Sequence, residues 1–363
     1  MIRRRPGLLR RRRPAIAFVS PFPPVWSGVA GYSYRLVAEL VRSVDVACFT
    51  DQDLATCRVP PGATVAPITD LHAPALAGAF EWVLYVLGNN SCHTAAIRAL
   101  RCTPGAVHLH DVRLEFCYTD PADAAGVDPT PFHLGDVARH ATAILTNSEH
   151  AAELVRTDVG RAATVVGPLA VPSRPNAPRA RDLVASFGAV SDTKQSAKVL
   201  DAFTTLRARH PDLEFAFVGW APEGFGAEGI TVTGYATDDD LTAALDRTLV
   251  AVQLRETTNG ESSGAVADAI AAGAAVVVTD FAAQAELPND AVHKVPRTIS
   301  AAELADVVDE RIVDERRRTA MIVAGRRYAA TNDTAAAARR LLDALAVDPV
   351  ARSAGVRRRD RFW

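Results

Sequence analysis

Short apolar runs alternate with helical periodicity along most of this chain. Residues 15–20 form a continuous apolar run of strand length, and a Pro- and Gly-bearing stretch follows at 21–31. Residues 32–42 then place Tyr34, Val37, Leu40 and Val41 on one face of a helix. Residues 44–50 predict a second strand, and 82–87, 106–109, 143–146 and 163–166 predict four more. Helical segments lie between most of them, which is the pattern of a parallel, doubly wound sheet.

The rhythm breaks at 171–178, where Pro172, Pro175 and Pro178 stand among polar residues and predict a linker. Alternation then restarts. Strands are expected at 183–187, 213–218, 230–233, 249–254 and 274–279. A helix is expected at 196–208, with Asp192 or Thr193 as its N-cap. Another spans 241–248, with Asp238, Asp239 and Asp240 at its positive end. Beyond residue 300 the pattern is almost wholly helical. The fold class expected is α/β, with two Rossmann-like domains at 14–171 and 179–345. Basic tails flank them at 1–13 and 346–363. Two such domains face each other across a cleft, and ligands on these sheets sit at the carboxyl ends of strands.

Composition narrows the picture. A chain of 363 residues that is 48% hydrophobic can fill two cores. A formal net charge of -2 argues against a nucleic-acid partner. Lysine occurs only at 194, 198 and 294, so a lysine inside a ligand motif stands out. The five cysteines, at 48, 57, 92, 102 and 117, show no C-x-x-C spacing. That argues against a disulfide framework or a zinc site and for a reducing compartment. No apolar run approaches the ~20 residues that span a bilayer, so a cytoplasmic location is expected. The Arg-rich tails, the second ending in Phe362 and Trp363, suit either solvent or peripheral contact with anionic lipid.

The chemistry concentrates between Arg255 and Glu286. A strand ends at Leu254, a loop reaches Glu261, and a helix starts near Ser262 or Ser263, passes Gly264 and Asp268, and stops at Gly273. Free N–H groups at such a helix start favour an anion, for example a diphosphate. Arg255 beside it can pair with phosphate oxygens, and Glu261 and Asp268 can accept from sugar or ribose hydroxyls. An ordinary capped strand–helix unit would show the same punctuation. In the first half, Ser27, Gly28 and Gly31 make a small-residue loop that lets a ligand approach backbone. His110 ends a strand, where side chains face the cleft, and His108 points the same way but deeper. Asp111 after it also fits a plain strand-end turn.

These motifs resemble glycosyltransferase family 4. That family has a Glu-x7-Glu motif opening a helix, then Ala-x-Ala-x-Gly and an apolar strand. Here the stretch is Glu261-Ser-Ser-Gly-Ala-Val-Ala-Asp268-Ala-Ile-Ala-Ala-Gly273, most like a branch with Asn-Gly-Glu-Ser-Ser. The spacing is Glu-x6-Asp, which puts Glu261 one residue out of register. The resemblance covers about residues 16–345 and implies two facing Rossmann-like domains, the GT-B fold. It implies a nucleoside-diphosphate sugar as donor, an acceptor whose identity stays open, retention of anomeric configuration and no metal requirement. It implies that Glu261 and His110 contact the donor sugar, Asp268 the ribose and Lys194 the diphosphate. Ser262, Ser263 and Gly264 would line the same site, Gly28 and Gly31 would face donor phosphate and acceptor, and Glu286 stands where the family has a further Glu. The family's Arg beside the Lys is replaced by Ala189, and Arg255 is expected to supply the lost charge. Acceptor selectivity is expected from loops at 72–80 and 118–131.

Three rivals remain open at this point. One is a nucleotide-sugar epimerase of similar architecture. Another is a nicotinamide oxidoreductase using Asp51, against which the missing G-x-G-x-x-G speaks. The third is a non-catalytic homologue that only binds a nucleotide sugar.

Overall fold

The computed structural model describes residues 13–124, 126–127, 133–174 and 181–347. The tails beyond those limits, residues 175–178 of the Pro-rich segment, and residues 125 and 128–131 of the 118–131 loop lie outside the described residues.

The first sheet contains β1 (Ala15–Val19), β2 (Asp45–Thr50), β3 (Thr64–Pro67), β4 (Trp82–Leu87), β5 (Gly105–Leu109), β6 (Ala141–Thr146) and β7 (Thr164–Val165). Their order is β3-β2-β1-β4-β5-β6-β7, and every pairing is parallel. The second sheet contains β8 (Leu183–Phe187), β9 (Glu214–Val218), β10 (Thr231–Val232), β11 (Thr248–Gln253), β12 (Ala275–Thr279) and β13 (His293–Val295). Its order is β10-β9-β8-β11-β12-β13, again parallel. Helices cover both faces of each sheet. All five residues of β1, β5, β8 and β12 are therefore buried, which is why these strands appear as unbroken apolar runs rather than alternating ones.

The strand order reverses direction between β1 and β4 in the first sheet and between β8 and β11 in the second. Connections leave such a pair toward opposite faces and open a crevice above its carboxyl end. The two crevices face each other and make the cleft.

Several boundaries differ from those expected. The first helix runs Gly28–Leu40, so Gly28 and Gly31 lie in its first turn and not in a loop. The Ser27 hydroxyl accepts from the Val29 N–H at 3.2 Å and caps it. Burial of Val29, Tyr32 and Leu36 outweighs the poor helix propensity of two glycines, about 1 kcal/mol each. The three aspartates 238–240 are themselves the first turn of the helix Asp238–Arg247, held by a capping box between Thr237 and Asp240. Lys194 sits in a short 3-10 turn, Asp192–Lys194, ahead of the helix Ser196–Arg209. Strands β3 and β13 escaped the pattern because both are short edge strands with mixed burial.

The last helix, Thr334–Val347, packs on the first domain although it follows the second in sequence. Ala337, Ala338, Leu341 and Leu345 join Ile16 and Leu36 in one core. Trp82 Nε1 donates to the Leu345 carbonyl at 3.0 Å, and Arg340 Nε donates to that of Val166 at 2.8 Å. Residues 334–345 thus leave the second domain, to which the sequence pattern assigns them. The loop at 72–80 lines a cavity of about 310 Å³ with Trp82, Gly105 and Thr142, at the amino ends of the strands. That is the end of the sheet opposite the cleft, so this loop does not border it.

Candidate active site

The second-domain side of the cleft is built at the crevice between β8 and β11. Phe187 ends β8 and Gly188 follows with φ +90°, a left-handed turn suited to glycine. The chain then doubles back so that Lys194 Nζ donates to the Phe187 carbonyl at 3.1 Å. The Glu256 N–H donates to the Thr193 carbonyl at 2.7 Å, which ties the loop after β11 to the turn that carries Lys194. Lys194 and Arg255 are thereby held side by side. Burial, reinforced by the Arg255 charge and opposed by Glu261, pushes the Lys194 ammonium down to about 8. Two adjacent cations with little solvent are stabilised by an anion between them.

Next comes the helix Gly264–Ala272, capped by Ser263, whose hydroxyl accepts from the Val266 N–H at 3.4 Å. Its amino end and that of the Gly28–Leu40 helix open on the same space. Gly28, Lys194, Arg255, Ser262, Ser263, Gly264 and Asp268 all line one cavity of about 460 Å³. A Cβ placed on Gly28 or Gly264 would touch nothing within 4 Å, so a ligand can come up to both backbones. Two helix amino ends and two cations converging there give an anion site with four independent positive contributions.

Glu261 lies in the loop before that helix. Its Oε2 accepts from the Asn259 N–H at 2.7 Å and from Thr258 Oγ1 at 3.0 Å, and its Oε1 is 3.5 Å from Arg255 Nη2. The carboxylate is therefore fixed before any ligand arrives. Asp268 is largely buried, and burial raises its carboxyl above the usual range, opposed by Arg35 and Arg174.

On the first-domain side His110 follows β5, with its N–H donating to the Leu87 carbonyl at 2.7 Å. Its ring lies 4.3 Å from that of Tyr32 and 4.9 Å from that of His108, centre to centre. Burial, helped by His108 and His93, holds the His110 imidazole well below its usual range, so it is neutral. Asp111 accepts from the Asn89 N–H at 2.8 Å. Burial pushes its carboxyl up to about 7, with Glu261 across the cleft reinforcing the shift and Asn89 and Arg255 opposing it. His110 and Glu261 share a second cavity of about 250 Å³ with Gly28, Arg35, His93 and Asp111.

The structure thus gathers Gly28, His110, Lys194, Arg255, Glu261, Ser262, Ser263, Gly264 and Asp268 around the cleft. Gly31 lines neither cavity, and a Cβ placed on it would lie 3.6 Å from Arg35 Nη1. Glu286 does something else. Its two carboxylate oxygens accept from the backbone N–H groups of Glu149 (3.0 Å) and His150 (2.8 Å), at the start of the helix Glu149–Val159. It bridges the domains, drawn by a helix amino end in the first domain, and lines neither of the two cavities above but a smaller one between Asn147, Ser148, Ser262 and Ser263. The domains also meet where the Asn259 carbonyl accepts from Val112 N–H at 2.6 Å, and where Trp26 packs edge-on against Tyr235 with ring centres 4.5 Å apart.

Asn89, His93 and Trp26 were missed as site residues. Gly88-Asn89-Asn90 directly follows the apolar strand β4, and a polar turn at a strand's carboxyl end was the available signal. No such signal marks His93 or Trp26. Among the described residues no group of three or more His, Cys, Asp or Glu could hold a metal ion. No described helix is long and apolar enough to cross a membrane. All five cysteines are free.

No curated protein matches the chain. Solved structures match it closely in shape and weakly in sequence. HepE of Anabaena in complex with UDP-glucose has a TM-score of 0.64 at 14% identity, covering 92% of this chain and 99% of that one. Sucrose-phosphate synthase of Thermosynechococcus elongatus has a TM-score of 0.63 at 15% identity, covering 92% and 98%. A UDP-forming α,α-trehalose-phosphate synthase of Burkholderia xenovorans has a TM-score of 0.62 at 11% identity, covering 92% and 100%. Residues 172–328 match the family model described as glycosyl transferases group 1. With that match across its second domain and the two-Rossmann GT-B frame across its length, this chain is a glycosyltransferase.

Proposed function

We propose that the protein transfers a glycosyl group from a nucleoside-diphosphate sugar to a hydroxyl acceptor, with retention of configuration and with no bound metal. The observation that carries this reading is the meeting of two helix amino ends with Lys194 and Arg255 in one cavity. A departing diphosphate gains negative charge as the bond from its oxygen to the sugar C1 breaks. Fixed donors and cations aimed at that charge stabilise the transition state more than the ground state. Lys194 and Arg255 take over the charge compensation that a divalent ion supplies in other phosphate chemistry.

Asp268 would accept from the ribose hydroxyls, and Glu261 and the neutral His110 would hold the sugar between the two domains. The acceptor oxygen bonds to C1 on the face that the diphosphate leaves, and its proton passes to the diphosphate oxygen. That keeps the anomeric configuration. HepE has been obtained with UDP and with UDP-glucose, which makes UDP-glucose the first donor to try. An acceptor in glycan or glycoconjugate assembly would supply the hydroxyl.

A thermal-shift panel of UDP-, GDP-, ADP- and TDP-sugars tests the donor site, since a ligand that binds only the folded state raises the melting temperature. One clear hit is expected. No shift with any of them would sink the reading. The anomeric proton coupling of the transfer product then tests retention, and the donor incubated alone tests for epimerisation.

A further inference from the structure

The loop between β11 and the Gly264–Ala272 helix touches the first domain at its tip, directly beside the residues assigned to the sugar. The Asn259 carbonyl accepts from the backbone N–H groups of Val112 at 2.6 Å and Arg113 at 3.2 Å. The N–H of the same residue donates to Glu261 Oε2 at 2.7 Å. Asn259 therefore holds the first domain with one backbone group and the Glu261 carboxylate with the other. Gly260 comes next, buried and with φ +88°. A Cβ placed on it would lie 2.6 Å from Val112 Cγ2 and 3.3 Å from Leu154 Cδ1. Only a glycine lets the two backbones come this close.

Both sides of this junction are fixed. The Arg255 N–H donates to Thr279 Oγ1 at 2.9 Å and anchors the loop in the second domain. The Gly260 N–H donates to Thr258 Oγ1 at 2.9 Å and braces it internally. On the first-domain side, His110 and Asp111 immediately precede Val112, and the His110 N–H is held by the Leu87 carbonyl at the end of β4. Asp111 and Glu261, the chain neighbours of Val112 and Gly260, line the 250 Å³ cavity together with His110. A shift at the junction thus reaches the Glu261 carboxylate and the His110 ring through one or two peptide units. Val112 is fully buried, so the contact is also a dry wall beside that cavity.

We propose that the junction of Val112 with Asn259 and Gly260 sets the spacing between Glu261 and His110, and so decides how the donor divides between transfer and hydrolysis. The inference rests on the glycosyl-transfer reading above and adds its positioning residues. As the diphosphate leaves, C1 bonds to the oxygen that stands next to it. In transfer that oxygen belongs to the acceptor hydroxyl, and in hydrolysis it belongs to water. In both, the bond from C1 to the diphosphate oxygen breaks and the proton passes to the diphosphate. A dry site of fixed dimensions favours transfer, because it excludes water and aligns the acceptor.

The test uses the full chain, the nucleotide sugar that gives the largest thermal shift, and a panel of methyl glycosides and sugar phosphates as acceptors. Free sugar and transfer product are measured together. Gly260→Ala should lower kcat for transfer about a hundredfold, the scale of a 1 Å misplacement, and raise the share of donor hydrolysed. Calorimetric affinity for UDP or GDP should change little, because Lys194 and Asp268 are carried by other segments. The extra affinity for the intact nucleotide sugar should fall. Adding Val112→Ala removes the Cγ2 that the new Cβ strikes, and the double variant should recover part of the transfer rate. Backbone strain at φ +88° is the same with and without Val112→Ala, so recovery identifies the contact as the cause. If Gly260→Ala does not fold, Val112→Ala alone opens a gap at the junction and should raise the hydrolysed share. An unchanged hydrolysed share in every folded variant, or equal losses of affinity for free nucleotide and nucleotide sugar, would overturn the proposal. Failure of the unmodified protein to bind any nucleotide sugar would instead remove the glycosyl-transfer reading on which it rests.

Discussion

The carboxylate of Glu286 crosses from the second domain to the first, where it accepts from the backbone N–H of His150 at 2.8 Å and caps a helix that already has Ser148 as its N-cap. An acid at a helix amino end contributes about 0.3–1 kcal/mol, more when partly buried. Here that energy favours the arrangement in which the two domains touch through Glu286. Glu286→Ala should leave the fold of each domain intact and shift the apoprotein toward an open form. Small-angle scattering should show a larger radius of gyration, and donor affinity should fall about threefold to tenfold, the equivalent of ~1 kcal/mol. An unchanged radius with unchanged affinity would show that the bridge is incidental to closure.

Lys194 gives a pH dependence with a definite sign. Its ammonium in the empty site titrates near 8, chiefly because it is buried and secondarily because Arg255 is beside it. A bound diphosphate favours the charged form and raises that value. Between the two values binding takes up a proton, so nucleoside-diphosphate affinity should fall as pH rises from about 8. Lys194→Met should bind more weakly at pH 7 and lose this dependence. Calorimetry in buffers of different ionisation heat measures the proton uptake directly. A flat affinity from pH 7 to 9.5 in the unmodified protein would contradict the assignment.

Gly188 is where backbone freedom supports the site. Its φ of +90° is disfavoured for other residues, and a Cβ there would run into Lys194 Nζ. Gly188→Ala should destabilise the protein by about 1–3 kcal/mol through backbone strain. It should also weaken donor binding, because the ammonium has to move off the Phe187 carbonyl. A variant that melts earlier but binds donor normally would separate the two effects and disprove the second.

Trp26 and Tyr235 are 67% and 65% exposed, yet their rings meet edge-on across the cleft mouth. Aromatic pairs of this geometry contribute about 0.5–1.5 kcal/mol beyond the area they bury. A double-mutant cycle on donor affinity, using Trp26→Ala and Tyr235→Ala, should give a coupling energy in that range. Additive effects would mean the contact carries nothing in the donor-bound form.

The sequence by itself determined the α/β class and pointed to most of the residues that line the second-domain wall of the cleft. Strands buried on both faces, such as β1 and β12, must be continuous apolar runs, and periodicity exposes them at once. The second-domain wall was legible because Arg255, Ser263, Gly264 and Asp268 lie close together in the chain, and a helix start carries its chemistry in local sequence. Only the tertiary structure decided what depends on contacts between distant segments. The role of Glu286 was set by a helix end more than a hundred residues earlier. The place of residues 334–345 was set by an apolar face that finds the first core. The cluster of Asn89, His93 and Asp111 exists because strands β4 and β5 are neighbours in the sheet, an adjacency that side-chain periodicity does not encode.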